Sequence, residues 1–235
     1  FAIVPEFGKV PAFIAASTPM ENTCLQFLTM VAQQCCPMII NLDDLYQTQK
    51  FPLKQYWSNN TEQTLPDNER ACKLYVSEVY NSTRWITRRL LITPPDSRHE
   101  WTAEQMQISA WSSKRNPRPD ILYEFVMAFL DKMATHSQNK RVGPPIIHAN
   151  STDGRVGTFI SATILLQQLQ TPSNYIDVFG TILSLRKHRP NLVNDQNQLE
   201  YLYRFMSYCV TMSTTVGGQM PCLPEGREMR YRHYD

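Results

Sequence analysis

The chain lacks any apolar run approaching the roughly 20 residues that a membrane-spanning helix needs, so insertion of these residues into a bilayer is not expected. It also lacks a dominant charge. Lys and Arg number 23 against 21 Asp and Glu, a net charge of +2. Nucleic acid is therefore not an implied partner, and any preference for phosphate must come from local placement of Arg and Lys. The N-terminal FAIVPEFGKV has no basic stretch followed by an apolar core, so no secretory signal is visible. With no initiating Met, the sequence is compatible with a piece of a longer protein. Six cysteines (Cys24, Cys35, Cys36, Cys72, Cys209, Cys222) show no CxxC and no Cys/His ligand spacing. That pattern argues against a zinc site, and no metal or cofactor is expected. The cysteines read as reduced thiols of a cytoplasmic domain, most of them in its core. The N-x-S/T triplets at Asn59, Asn81 and Asn150 then read as chance matches.

What is present is an ordinary globular composition of one large domain. Ala12 to Ala16 reads as a strand, Cys24 to Gln34 has apolar residues at helical spacing, and Pro37 to Leu42 reads as a buried strand. The polar stretch from Ser58 to Asn68 reads as an exposed loop. From Lys73 the pattern alternates and continues through Trp85 to Ile92, which predicts a long antiparallel ribbon. Met106 to Trp111 reads as a further short strand. Asp120 to Thr135 reads as an amphipathic helix. Tyr175 to Arg189 reads as a helix with Val178, Phe179, Ile182, Leu183 and Leu185 on one face, ended by Pro190. Gln196 to Met212 is the last expected helix, and residues 213–235 read as an irregular extension.

The rest is organised around Pro144 to Leu166, PPIIHANSTDGRVGTFISATILL. A short apolar run ends at His148, a polar loop follows, and Val156-Gly157-Thr158 opens an apolar helix. A strand, a tight loop and a helix N-terminus gather backbone N–H groups around an anion. The pattern H-x6-R-x-G-T, carried by His148, Arg155, Gly157 and Thr158, resembles the signature loop of protein tyrosine phosphatases. Gln55-Tyr56-Trp57, the turn residues Pro19, Asn22 and Thr23, and Trp111 with Pro117 match further family landmarks in the family's order. The resemblance covers about residues 1–212. It implies an α/β domain, a twisted mixed β-sheet flanked by helices, with the signature loop at the carboxyl end of a central strand.

The resemblance also identifies what is missing. The family has a Cys directly after the His, the thiolate nucleophile, and here that residue is Ala149. The family's general acid is an Asp in a W-P-D loop, and the matching position is Ser113, whose hydroxyl is too weak an acid near neutral pH. A Gln of the family positions the hydrolytic water, in a stretch with two Gln positions; Asn194 stands at the first and Gln198 matches the second. Binding groups remain. Arg155 stands at the family's invariant Arg, whose guanidinium holds two phosphate oxygens, within the loop His148, Asn150, Ser151, Thr152, Asp153 and Gly154. Thr152 replaces a family Gly, and Asp153 adds a carboxylate where a dianion would sit. Arg155 thus has two readings, phosphate binding or an internal ion pair with Asp153 or another acid. Trp111, Lys114 and Arg115 would form the rim. The implied function is a pseudophosphatase, a protein-interaction module that binds or masks phosphotyrosine proteins or sequesters a kinase. The alternatives are a regulatory second domain of a receptor phosphatase, a structural module whose partner docks away from the pocket, and an engineered trap. The last segment, 229–235, is similar to a basic-aromatic phosphotyrosine-recognition loop but stands in the wrong order along the chain.

Overall fold

The computed structural model describes residues 2–5, 11–43, 55–58, 62–67, 70–95, 97–109, 111, 115–136, 142–150, 152–171 and 175–215. Its strands are β1 (Ala2–Pro5), β2 (Pro11–Ser17), β3 (Met38–Asn41), β4 (Glu62–Asp67), β5 (Arg70–Asn81), β6 (Trp85–Thr93), β7 (Trp101–Ile108) and β8 (Ile146–Ala149). They form one mixed sheet in the order β1-β2-β8-β3-β7-β6-β5-β4. The strands β2, β8, β3 and β7 run parallel and the remaining pairs are antiparallel.

The parallel strands are short and buried on both faces, as apolar runs such as Met38-Ile39-Ile40 require. Successive side chains alternate between two cores. Phe13, Met38, Ile40 and Ile147 face one of them, together with four helices: α2 (Pro119–His136), α3 (Gly157–Leu169), α4 (Val178–His188) and α5 (Gln196–Thr215). Ile14, Ile39 and Ile146 face the other, which α1 (Cys24–Gln33) covers with Phe27, Leu28 and Val31. Beyond β7 the ribbon of β6, β5 and β4 continues the second core through Cys72, Leu74 and Val76. Cys24, Cys36, Cys72 and Cys209 are buried free thiols and Cys35 is half-buried. Burial pushes the Cys72 thiol up to about 11 and that of Cys209 up to about 12.

Several expectations need correction. The polar stretch at 58–68 is not all loop, because Glu62–Asp67 pairs with β5 as the sheet's edge strand, where Pro66 and polar side chains are tolerated. The strand expected at Met106–Trp111 runs instead over Trp101–Ile108, and Trp111 lies beyond it. On α4 the buried face is Val178, Thr181, Ile182 and Leu185, whereas Phe179 and Leu183 are exposed. This helix is capped by the Asp177 carboxylate, which accepts the Gly180 N–H at 2.7 Å. It stops at His188, and Arg189 before Pro190 is extended. The last helix continues to Thr215, so Ser213–Thr215 belong to α5. The rest of the expected extension, including 229–235, lies outside the described residues, as does Cys222.

Candidate functional site

Three neighbouring parallel strands, β2, β8 and β3, end side by side. The residues just past their carboxyl ends, Thr18, Asn150 and Asp43, therefore converge, the usual place for a site in an open α/β sheet. From Ala149, which is fully buried, the chain passes through Asn150 and Ser151. It then winds into a π-helical turn, Thr152–Val156, continuous with α3. Winding thus begins earlier than the expected start at Val156. Thr158 Oγ1 donates to the Gly154 carbonyl at 2.9 Å and ties the turn to the helix.

His148 does not reach this loop's outer face. Its ring is fully buried, Nδ1 lies 2.9 Å from Thr18 Oγ1, and Nε2 lies 3.2 Å from the Tyr56 hydroxyl. Asp43 can only accept, so the Thr18 hydroxyl donates to its Oδ2. Thr18 then accepts from Nδ1–H, and the unprotonated Nε2 accepts from Tyr56. Gln105 Nε2 donates to the Tyr56 oxygen at 2.6 Å, and Arg88 Nη1 donates to Gln105 Oε1 at 2.8 Å. The result is a head-to-tail chain from a buried guanidinium to a buried carboxylate. Arg88 also lies over the Trp57 ring, 4.8 Å from its centroid. Burial holds His148 down at about 4, only partly offset by Asp43, and pushes the Tyr56 hydroxyl up. The imidazole is neutral and structural.

Asp43 has a second contact. Its Oδ1 accepts the Asn150 backbone N–H at 2.6 Å, so an internal carboxylate already takes one of the loop's donors. The sequence reading assigned Asp43 no role. Its place directly after a buried strand that neighbours the signature strand was the available signal.

Arg155 Nη1 donates to the Leu42 carbonyl at 2.8 Å. The side chain of Asp153, its proposed ion-pair partner, lies outside the described residues, as do the side chain of Thr152 and all of Ser151, Ser113 and Lys114. Arg155 also lines an open cleft of about 600 Å³. There it meets Trp111, Arg115, Pro117 and Gln198, residues far apart in the sequence. Gln198 lies against the loop, and a Cβ built on Gly154 would stand 2.5 Å from its Nε2. Asn194 is exposed and Asn150 is exposed, and neither lines the cleft. The turn before Gln198 is braced by Arg186, which donates to the Leu192 carbonyl at 3.0 Å and the Val193 carbonyl at 2.5 Å. Val193 adopts φ 54°, a left-handed conformation rare for a β-branched residue.

The sequence reading missed Arg118, Arg204, Asp195 and Tyr201, which also line the cleft. Among the described residues that line it are four arginines, Arg115, Arg118, Arg155 and Arg204, and one acidic residue, Asp195. The Tyr201 hydroxyl and Gln198 Oε1 are buried there with no hydrogen-bond partner among the described residues. No group of metal-ligating side chains occurs among the described residues, and none of their helices is long and apolar enough to cross a membrane.

Residues 2–208 match the sequence profile of the family described as Protein-tyrosine phosphatase. The receptor-type tyrosine-protein phosphatase eta of Gallus gallus is 29% identical over 211 residues, 88% of this chain. The human receptor-type tyrosine-protein phosphatase H is 26% identical over 228 residues, 95% of this chain. The chain spans only 14% and 19% of those relatives' lengths. Among solved structures, PTPN18 in complex with HER2-pY1196 phospho-peptides shares the fold at a TM-score of 0.73 and 20% identity. That match covers 88% of this chain and 69% of the other. With the fold, the signature loop and the profile in agreement, this chain belongs to the protein tyrosine phosphatase family.

Proposed function

We propose that this domain is a catalytically inactive phosphatase-like module that binds a protein partner, recognising a phosphorylated tyrosine through the arginine-lined cleft. One observation carries the reading. The residue that follows His148 at the end of β8 is Ala149, a buried methyl group with no lone pair, while Arg155, Trp111 and Gln198 still assemble around the cleft. No phosphoenzyme can form on a methyl group. Asp43 strengthens the case, since its carboxylate beneath the loop opposes both a thiolate and a bound dianion. Retained binding groups beside lost reacting groups fit recognition better than turnover. The solved relative bound to phosphotyrosine peptides supports a protein ligand.

A second reading, a regulatory second domain of a receptor phosphatase, is favoured by the receptor-type relatives and is compatible with the first. The test has two arms. Purified protein should show no hydrolysis of p-nitrophenyl phosphate or phosphotyrosine peptides above buffer. The same phosphopeptides should bind, and Arg155→Ala should weaken binding. Turnover abolished by Arg155→Ala would overturn the inactive assignment. Equal binding of phosphorylated and unphosphorylated peptides would overturn the recognition role.

A further inference from the structure

We propose that Tyr80, near the end of β5, is an acceptor site for a protein tyrosine kinase, and that the added phosphate is held in a second concavity by Arg89 of β6 and Lys132 of α2. This concavity shares no lining residue with the cleft at Arg155. The proposal is therefore independent of the phosphotyrosine-binding reading above.

Strand register builds the concavity. Glu78, Arg89 and Glu104 stand directly opposite one another on β5, β6 and β7. Side chains paired in this way share one face of the sheet, so the three form a row of alternating charge. Lys132 continues the row from α2 by pairing with Glu104. Tyr80 lies opposite the buried Thr87, one same-face step further along β5. Together these six side chains line a space of about 430 Å³.

Tyr80 is the accessible member, 64% exposed. Its hydroxyl donates to Glu78 Oε2 at 2.9 Å, and Arg89 Nη1 donates to Oε1 of the same carboxylate at 3.2 Å. One carboxylate thus bridges phenol and guanidinium, and a phosphate on the Tyr80 oxygen comes within reach of Arg89. The Glu78–Arg89 pair is about half exposed and screened by solvent, so it holds Arg89 only weakly. A phosphate dianion, with more charge and three acceptor oxygens, is the stronger partner for a guanidinium. Glu78 turns to solvent and Arg89 changes partner. Lys132 has three donors and keeps Glu104 while meeting the phosphate.

Access and chemistry agree with this placement. β4 accompanies β5 only as far as Tyr75, so among the described strands the segment carrying Tyr80 pairs with β6 alone. The exposed residues Asn81, Ser82 and Thr83 follow it. Tyr175 and Tyr203 are exposed to a similar degree but line neither concavity. In the reaction the Tyr80 oxygen forms a bond to the γ-phosphorus of a nucleoside triphosphate. The bond to the departing nucleoside diphosphate breaks, and the phenol proton passes to the base of the kinase.

The test uses purified protein, a broad-specificity tyrosine kinase domain and Mg-ATP, with modified residues mapped by mass spectrometry. Tyr80 should be the main acceptor, and Tyr80→Phe, which keeps the ring, should lower total incorporation several-fold. Phosphate on Tyr175 or Tyr203 with Tyr80 unmodified would overturn the site. The role of the concavity is read separately, by phosphorus NMR titration of protein phosphorylated on Tyr80. In a free phosphopeptide of residues 76–84 the last phosphate proton leaves near pH 6. Two facing cations favour the dianion, so the same group in the protein should titrate about 0.5 lower or more. Arg89→Ala should return most of that difference, and Lys132→Ala part of it. Titration as in the peptide, unchanged by either substitution, would overturn the assignment of Arg89 and Lys132.

Discussion

At Ala149, replacing the methyl by a thiol would restore the family's nucleophile but not its surroundings. On the inactive reading proposed above, with Ser113 at the family's acid position, Ala149→Cys is expected to remain at least about 10²-fold below an ordinary family enzyme, the size of the missing general acid catalysis. Asp43 adds a second obstacle. Its carboxylate accepts the Asn150 N–H that would otherwise help stabilise a thiolate. The thiol of Ala149→Cys should consequently alkylate with iodoacetamide only at higher pH, and adding Asp43→Asn should move that profile downward. An unchanged profile would remove Asp43 from the account. His148 makes a pH prediction at the same scale. It titrates near 4 when folded, against an ordinary value of about 6.5. Between those values the unfolded chain takes up a proton that the folded protein refuses. Stability should therefore be flat above about pH 6.5 and fall by on the order of 3 kcal/mol toward pH 4. Urea midpoints measured across that window should show the fall, and His148→Gln should flatten it. Residue by residue, Arg155, Trp111 and Gln198 were legible because a motif fixed their spacing. Arg118, Arg204 and Asp43 were not, since each looks locally like an ordinary surface charge and gains meaning only where strands and helices meet.

Elements with a uniform or regularly alternating pattern, such as β3, β8, the β5–β6 ribbon and α2, were read correctly, whereas β4 and the buried face of α4 were not. β3 and β8 are buried throughout and open on apolar runs because both sides are covered, so such a run could mean little else. β4 is polar because it has one neighbour and a free edge, and polarity alone made it look like a loop. On α4, Phe179 and Leu183 sit one position round from Val178 and Ile182, too close in angle for spacing to exclude them from the core. The junction of α3 with the turn before α5 yields a prediction from two glycines on the same segment. A Cβ on Gly157 would stand 2.7 Å from the Val193 backbone nitrogen, in a turn already held by Arg186. A Cβ on Gly154 would meet only the flexible end of Gln198. Gly157→Ala should cost about 1–3 kcal/mol in chemical denaturation. Gly154→Ala should fold with nearly unchanged stability and disturb the cleft instead. Equal losses for the two would contradict this placement.

Across the whole molecule, acid should act in two separate windows. The upper one belongs to His148. The lower one belongs to Glu104 on β7, which the His136 and Lys132 side chains of α2 hold at about 2. A depressed carboxyl contributes stability that is present above its ordinary pKa of about 4.3 and lost as pH falls toward 2. Glu104→Gln should remove that lower limb and leave the His148 limb intact, and a single merged acid transition in both proteins would argue against independent sites. The hydrogen-bond chain from Arg88 to Asp43 has one more effect on the molecule. Each donor is used by its neighbour, so the imidazole cannot turn over, nor the Gln105 amide invert, without orphaning groups on both sides. The side chains beneath the loop therefore share a single joint orientation with one polarity, running from the β6–β7 ribbon to the parallel strand ends. A substitution at Arg88, remote from the loop in sequence, would be felt at the Asn150 amide as a loss of that polarity, whatever it did to packing along the way.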